Sequence, residues 1–224
     1  MGHHGARISV CHRLVNPFFY LPEGDRTCPR IRSIDTLLAP AYVSDGCTEK
    51  ETVHLLRMID KPGEFTPFDV RSYTIDHSTL CRLRDDVLLN DEIINAYFVL
   101  LQRRDTLLNR LRGSGGRSLF FNSFFFDKLL LPRERFRYTF ANVARWKKCV
   151  VFRMTTLYLP LNLGNSHWVL VTVDIVNLTI HYWDPMGGIL WRHIHGLRRW
   201  LGEEARDKGA TDFCDKEWAI NIVC

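Results

Sequence analysis

Residues 167–184 read HWVLVTVDIVNLTIHYWD, two runs of strand-forming residues around a short polar interruption. Val169, Val171 and Val173 alternate with Leu170, Thr172 and Asp174, the period of a strand with two distinct faces. The run from Leu178 to Trp183 is β-branched and aromatic, so a second strand is expected there, with the turn between Asp174 and Leu178. A hairpin of this kind constrains the rest of the chain, because a slip of one residue would turn its apolar face to water.

In an antiparallel hairpin, opposed residues have a constant index sum. His167 and Asp184 sum to 351, which places their turn centre at 175.5, inside the expected turn. A register centred one residue later sets Asp184 opposite Val169, diagonal to His167 but on the same face. Either register brings the imidazole and the carboxylate within reach of each other. A carboxylate beside a histidine holds the ring in one tautomer and faces the charge when the ring is protonated, as a general base requires. The same two side chains could instead form a hydrogen-bonded pair closing a strand end, or be unrelated polar termini. Residue types alone leave these alternatives open.

The chain has 224 residues, 46% of them hydrophobic, enough to bury a core. Its net charge of +5 comes from lysines and arginines scattered among acids, so a nucleic-acid partner is not indicated. Apolar runs such as VLL and FFF are far too short to span a bilayer, and no membrane partner is expected. The N-terminus lacks the apolar stretch of a signal peptide, and Ala6 stands where a myristoylation pattern wants Ser or Thr. Seven dispersed cysteines with no C-x-x-C pair argue against a disulfide framework and against zinc. His193 and His195 lie two apart, which on a helix points them about 200° apart, so they are poor joint ligands and suit a solvated face. A reduced, soluble, intracellular protein is expected, in nucleus or cytoplasm, with no metal or cofactor. Its oligomeric state is open.

Residues 1–70 carry most of the prolines and read as a partly irregular N-terminal extension of unassigned role, with one short helix over Glu49–Asp60. Residues 71–224 read as a single domain. Asn90 is a good N-cap, with Asp91 and Glu92 in the first turn and Ile93, Ile94, Tyr97, Phe98 and Leu101 at helical spacing. The glycine-rich stretch 111–118 is a connection; no G-K-[ST] follows it, so it is no phosphate loop. Ser118–Phe121 reads as a strand leading into a helix capped near Asn122 or Ser123. YTFANVARWKKCVV reads as a further helix, and FRMTTLYLPLNL as a strand closed by Pro160. Leu190, Ile194, Leu197 and Leu201 share one face of a last helix. Its other faces carry Arg192, Arg198 and Arg199, a solvated surface by default that could also meet an acidic partner. Helices, strands and helices in that order suggest an α+β fold.

Four segments, LLNDEIINAYF, FFNSFFFDKL, LPLNLGNSHWVLVTVD and YWDP, resemble in order and spacing the blocks of the ubiquitin-like-protein-specific (Ulp/SENP) cysteine proteases, which process SUMO and related modifiers. The resemblance runs from about Thr74 to Cys224 and is most specific in the H-W to D spacing. It implies an α+β, papain-like domain with a small central, mostly antiparallel sheet and surrounding helices. It also implies thiol hydrolysis after the Gly-Gly of a SUMO-type modifier, in desumoylation or precursor processing. His167 would be the general base and Asp184 its orienting carboxylate. Trp168, Leu88 and Asp91 would lie toward the substrate, Trp168 walling a channel so narrow that only glycines pass.

The chain departs from the family pattern in two places. Leu88 stands where the family's W-L-N-D block has its tryptophan, and lacks the flat face that clamps a glycine backbone. After Asp184 there is no glutamine for an oxyanion hole and no D-C-G nucleophile block. Cys214 is flanked by acids, which disfavour its thiolate, and Cys224 is the last residue given. Neither is expected to serve. The expectation is therefore a family member lacking its nucleophile as given, inactive in that form, either truncated or a true pseudoenzyme. The rival expectation is a catalytically dead binding module for ubiquitin-like proteins.

Overall fold

A computed structural model describes residues 54, 57–61, 63, 65–84, 87–112, 117–146 and 151–223. They divide into two compact units, the boundary falling after Arg104. The helix expected over Glu49–Asp60, like most of the 1–70 extension, lies largely outside the described residues.

In the N-terminal unit, strands β1 (Phe68–Val70) and β2 (Tyr73–Ile75) form a small antiparallel hairpin. Helix α1 (His77–Leu80) follows, its first turn capped by Asp76, whose carboxylate accepts from the Thr79 amide at 2.7 Å. Ile59, Val70, Ile75, Leu80, Leu83 and Ala96 make the apolar cluster of this unit. Helix α2 (Asp91–Arg112) begins where the sequence places it: Asn90 Oδ1 accepts from the Ile93 amide at 3.1 Å, and Asp91 and Glu92 occupy the first turn.

The C-terminal unit is organised by a five-stranded sheet in the order β3-β6-β7-β8-β9. Its strands are β3 (Ser118–Phe120), β6 (Thr156–Leu163), β7 (His167–Asp174), β8 (Thr179–Trp183) and β9 (Ala219–Val223). The long central pairings β6–β7 and β7–β8 are antiparallel, and a parallel strand closes each edge. Helix α3 (Phe125–Leu129) leads into a short hairpin of β4 (Leu130–Leu131) and β5 (Arg137–Tyr138), and α4 (Trp191–Asp207) lies between β8 and β9 in sequence. One face of the sheet, with Leu157, Leu159, Val171, Val173 and Ile180, packs into a single core with Ile194, Leu197 and Leu201 of α4. That is the α+β architecture expected, with α4's apolar stripe seated as its spacing requires. No helix among the described residues is long and apolar enough to cross a membrane.

Three local expectations are corrected. Tyr138–Trp146 is not a helix: Tyr138 pairs with Leu130 in the β4–β5 hairpin, and only a 3-10 turn, Phe140–Asn142, follows. Tyr138 is drawn into the hairpin by a guanidinium over its ring (Arg199, 3.9 Å) and a hydrogen bond to Glu203 at 3.1 Å, contacts that outweigh weak local helix propensity. Pro160 does not close its strand, because β6 runs on to Leu163. β3 pairs β6 only as far as Tyr158, so at Pro160 the strand is an edge, where a missing N–H is tolerated. His193 is not on a solvated face. It is buried, with the rings of Phe126 and Phe136 against it, and burial holds its pKa down at about 4.

Candidate active site

Two turns place the polar ends of the sheet. Gly164 and Asn165, with φ of 63° and 59°, reverse the chain between β6 and β7 and set His167 at the first position of β7, opposite Leu163. On the far side of β7, Asp174 closes the β7–β8 turn, its carboxylate accepting from the Asn177 amide at 2.9 Å. The register that results pairs Leu170 with Trp183 and Val171 with Tyr182. It is the later of the two considered above. Asp184 leaves the end of β8 on the same side as His167.

His167 Nε2 lies 2.7 Å from Asp184 Oδ1. Asp184 is only 4% exposed, whereas the imidazole is partly open to solvent. Oδ1 also accepts from the Met186 amide at 2.8 Å and Oδ2 from the Gly188 amide at 3.2 Å, so the loop Pro185–Gly188 wraps the carboxylate with backbone donors. Gly187 sits at φ 74°, in the left-handed region, and a Cβ on Gly188 would come within 3.0 Å of Asp184 Oδ2. Two glycines in succession are thus what lets the loop close on the acid. Backbone donors leave no side-chain signature, and sequence reasoning missed them; the signal that could have found them is the Gly-Gly pair directly after Asp184.

The chemistry available follows from the atoms. With Nε2 taken by the carboxylate, Nδ1 is the ring nitrogen left to take and return a proton, and Asp184 faces the charge when it does. The other sequence-predicted residues stand as follows. Trp168 is half-buried and, one residue along β7, points to the opposite sheet face from His167, across from Asn162 of β6. Leu88 and Asp91 belong to the N-terminal unit. Leu88 is 56% exposed, just before the Asn90 cap, and Asp91 opens α2.

β9 runs parallel to β8 and ends at the dyad: the Asp184 amide donates to the Val223 carbonyl at 3.0 Å. Cys214 is at the other end. It precedes β9, whose first residue pairs with Thr179, about 13 Å of strand from the Val223 end. Its thiol sits 4.0 Å from the Ala210 carbonyl, beside the core. Cys224 lies outside the described residues.

The sequence pattern of the Ulp1 protease family, C-terminal catalytic domain, matches residues 88–223, more than half of the chain. The chain belongs to this family, one of cysteine proteases. It is 31% identical over 140 residues to ubiquitin-like-specific protease 1A of Arabidopsis thaliana, covering 60% of this chain and 27% of that one. It is 30% identical over 142 residues to human sentrin-specific protease 5, covering 63% of this chain and 17% of that protein. The chain therefore spans about a quarter or less of the curated relatives it matches. Among solved structures, the C-terminal Ulp1 protease domain in complex with Smt3, the yeast ortholog of SUMO, superposes with a TM-score of 0.59 at 24% identity, covering 80% of this chain and 75% of that one. The Ulp1-like SUMO protease catalytic domain of Chaetomium thermophilum gives 0.54 at 18% identity, over 78% and 69%. These likenesses carry the fold: a Ulp1-type, papain-like domain.

Proposed function

We propose that His167 and Asp184 are the acid–base half of a cysteine peptidase or isopeptidase that cleaves after the Gly-Gly end of a SUMO-type modifier, in deconjugation or precursor processing. The observation that carries this reading is the 2.7 Å imidazole–carboxylate pair, its acid held by three donors, at one end of a Ulp1-type sheet. In this reading Nδ1 of His167 takes the thiol proton as sulfur attacks the carbonyl carbon of the last glycine. The imidazolium then returns the proton to the departing amine, and a water activated by the same nitrogen hydrolyses the thioester. Trp168, next to the base on β7, is the residue proposed to wall the glycine tail.

In this reading the thiol is neither Cys214 nor Cys224. In support, β9 delivers its C-terminal end to Asp184, and Cys214 sits at the opposite end of the strand. Trp183 (39% exposed), Met186 (79%) and Ile222 (44%) also leave apolar surface at the ends of β8 and β9. Residues 1–224 alone would then bind a modifier without cleaving it. The same distance of Cys214 from the dyad favours a second reading, a binding module that never acquires a thiol.

A SUMO-type modifier carrying a C-terminal electrophile separates these readings when offered to residues 1–224 and to the same chain continued through its genomic reading frame. A covalent adduct with the continued chain alone supports the enzyme. An adduct with residues 1–224 overturns the assignment of the thiol. Retention without an adduct by either chain supports the binding module.

A further inference from the structure

On the C-terminal unit, the β4–β5 hairpin is fastened to α4 by several side-chain contacts. Leu130 seats against Gly196, where a Cβ would lie 2.9 Å from the leucine methyl, so the helix needs a glycine there to let the strand down. Arg199 lies 3.9 Å over the Tyr138 ring and pairs with Glu203 at 2.8 Å, while the Tyr138 hydroxyl donates to Glu203 at 3.1 Å. Two turns earlier on α4, Arg192 lies 4.3 Å over the ring of Phe136. The loop between the strands holds Arg135 and Phe136 in the left-handed region, with φ of 55° and 60° and no glycine to ease it. A non-glycine residue there is strained, and such strain persists only where surrounding contacts hold it.

This fastening leaves a particular charge balance. Glu134 is taken by Arg137 at 2.6 Å and Glu203 by Arg199. Arg133, Arg135 and Arg192 are exposed and have no ion pair among the described residues. Arg192 is nonetheless positioned, its guanidinium spread over Phe136, so little freedom remains to be lost when an anion arrives.

We propose that the hairpin loop and the first turn of α4 form a docking surface for a carboxylate-rich segment of a polypeptide, with Arg133, Arg135 and Arg192 as its contacts. Planar guanidinium forks match carboxylates two bonds at a time. A single-stranded nucleic acid fits less well, because it needs free ring faces for its bases. Here Arg192 covers one face of Phe136, Arg199 covers one face of Tyr138, and Trp191 of the same helical turn is stacked against His195. The surface is independent of the peptidase reading, since it uses no residue of the dyad.

The test is anisotropy titration of a fluorescent oligoglutamate peptide against the chain, with an oligothymidylate of equal length as the competing class. The double variant Arg135→Gln/Arg192→Gln keeps the side chains' bulk and is expected to weaken peptide binding about tenfold. Arg198→Gln, about 120° around the helix from Arg192, is expected to leave it unchanged. Raising salt should weaken binding to the unaltered chain and much less to the double variant. Thermal melting of each variant checks that the unit still folds. If melting shows the double variant unfolded, charge reversal at Arg133 alone, in the loop, takes its place. Equal affinity in the variant and unaltered chains, an equal loss in Arg198→Gln, or tighter binding of the oligonucleotide would overturn the proposal.

Discussion

Replacing Asp184 tests whether the dyad is built as described, whatever the chain's activity. The carboxylate receives the His167 ring at 2.7 Å and the Met186 amide at 2.8 Å on one oxygen, and the Gly188 amide at 3.2 Å on the other. A hydrogen bond to a charged group contributes about 1.5–3 kcal/mol. Met186 and Gly188 are exposed residues, so their amides can be rehydrated and count for less than the histidine. Asp184→Ala should therefore lower unfolding stability by about 2–3 kcal/mol. Asp184→Asn keeps an oxygen for His167 and Met186 and sets an NH2 group against the Gly188 amide, a cost of about 1 kcal/mol. Urea unfolding followed by tryptophan fluorescence gives both numbers. Nitrogen-15 spectra of the His167 ring give the tautomer. It is expected fixed, with the proton on Nε2, in the parent chain and in the Asp184→Asn variant, and mixed in the Asp184→Ala variant. Equal costs for the two substitutions, or a tautomer unchanged when the carboxylate is removed, would refute this account of the dyad.

Gly196→Ala should destabilise by about 1 kcal/mol although alanine is the better helix former, because its Cβ meets buried Leu130 at 2.9 Å; urea titration gives the sign. Glu204 is buried, and burial raises its pKa to about 7, above the 4.5 of an ordinary glutamate. The folded state therefore holds a proton the unfolded chain loses, and stability falls as pH rises from about 4.5 to about 7; Glu204→Gln should flatten that fall in pH-dependent melting. His193 has the opposite sign, its pKa lowered by burial to about 4, so its contribution is lost as pH drops from about 6.5 toward 4, and His193→Phe should remove that loss. In any active, thiol-bearing form of the protein, His167→Ala should lower kcat/KM by ~10²–10⁴-fold while leaving modifier binding unchanged in a pull-down.

Much of the fold was legible because the strongest signals were local. The period-two valines of β7 and the periodic leucines of α4 each describe a face that must be buried, and each was. Asn90 caps α2 because an oxygen at that position reaches the third amide of a helix wherever it occurs. What was not legible depended on partners distant in sequence. Tyr138 belongs to a strand on account of Arg199 and Glu203, some sixty residues later. His193 is buried because the hairpin lies down on α4, and Pro160 is tolerated because β3 stops at Phe120, short of it. Each outcome is ordinary physical chemistry, but the information deciding it lies outside any window of neighbouring residues.

The site divides along the same line. His167 and Asp184 could be brought together from index sums because the β7–β8 hairpin is local and its register has only two plausible values; the observed pairs sum to 353, the later value. The support of the carboxylate is contributed by backbone amides, and so was invisible, although it decides what the aspartate can do. An acid accepting only from an imidazole could rotate away when the ring gains or loses its proton. One pinned by Met186 and Gly188 stays put, and the ring moves its proton instead. The loop's geometry thus holds the carboxylate in one place, as the general-base role proposed for His167 requires. A bare glycine at position 188 is the feature on which that hold turns, since its Cβ would stand 3.0 Å from the very oxygen its amide holds.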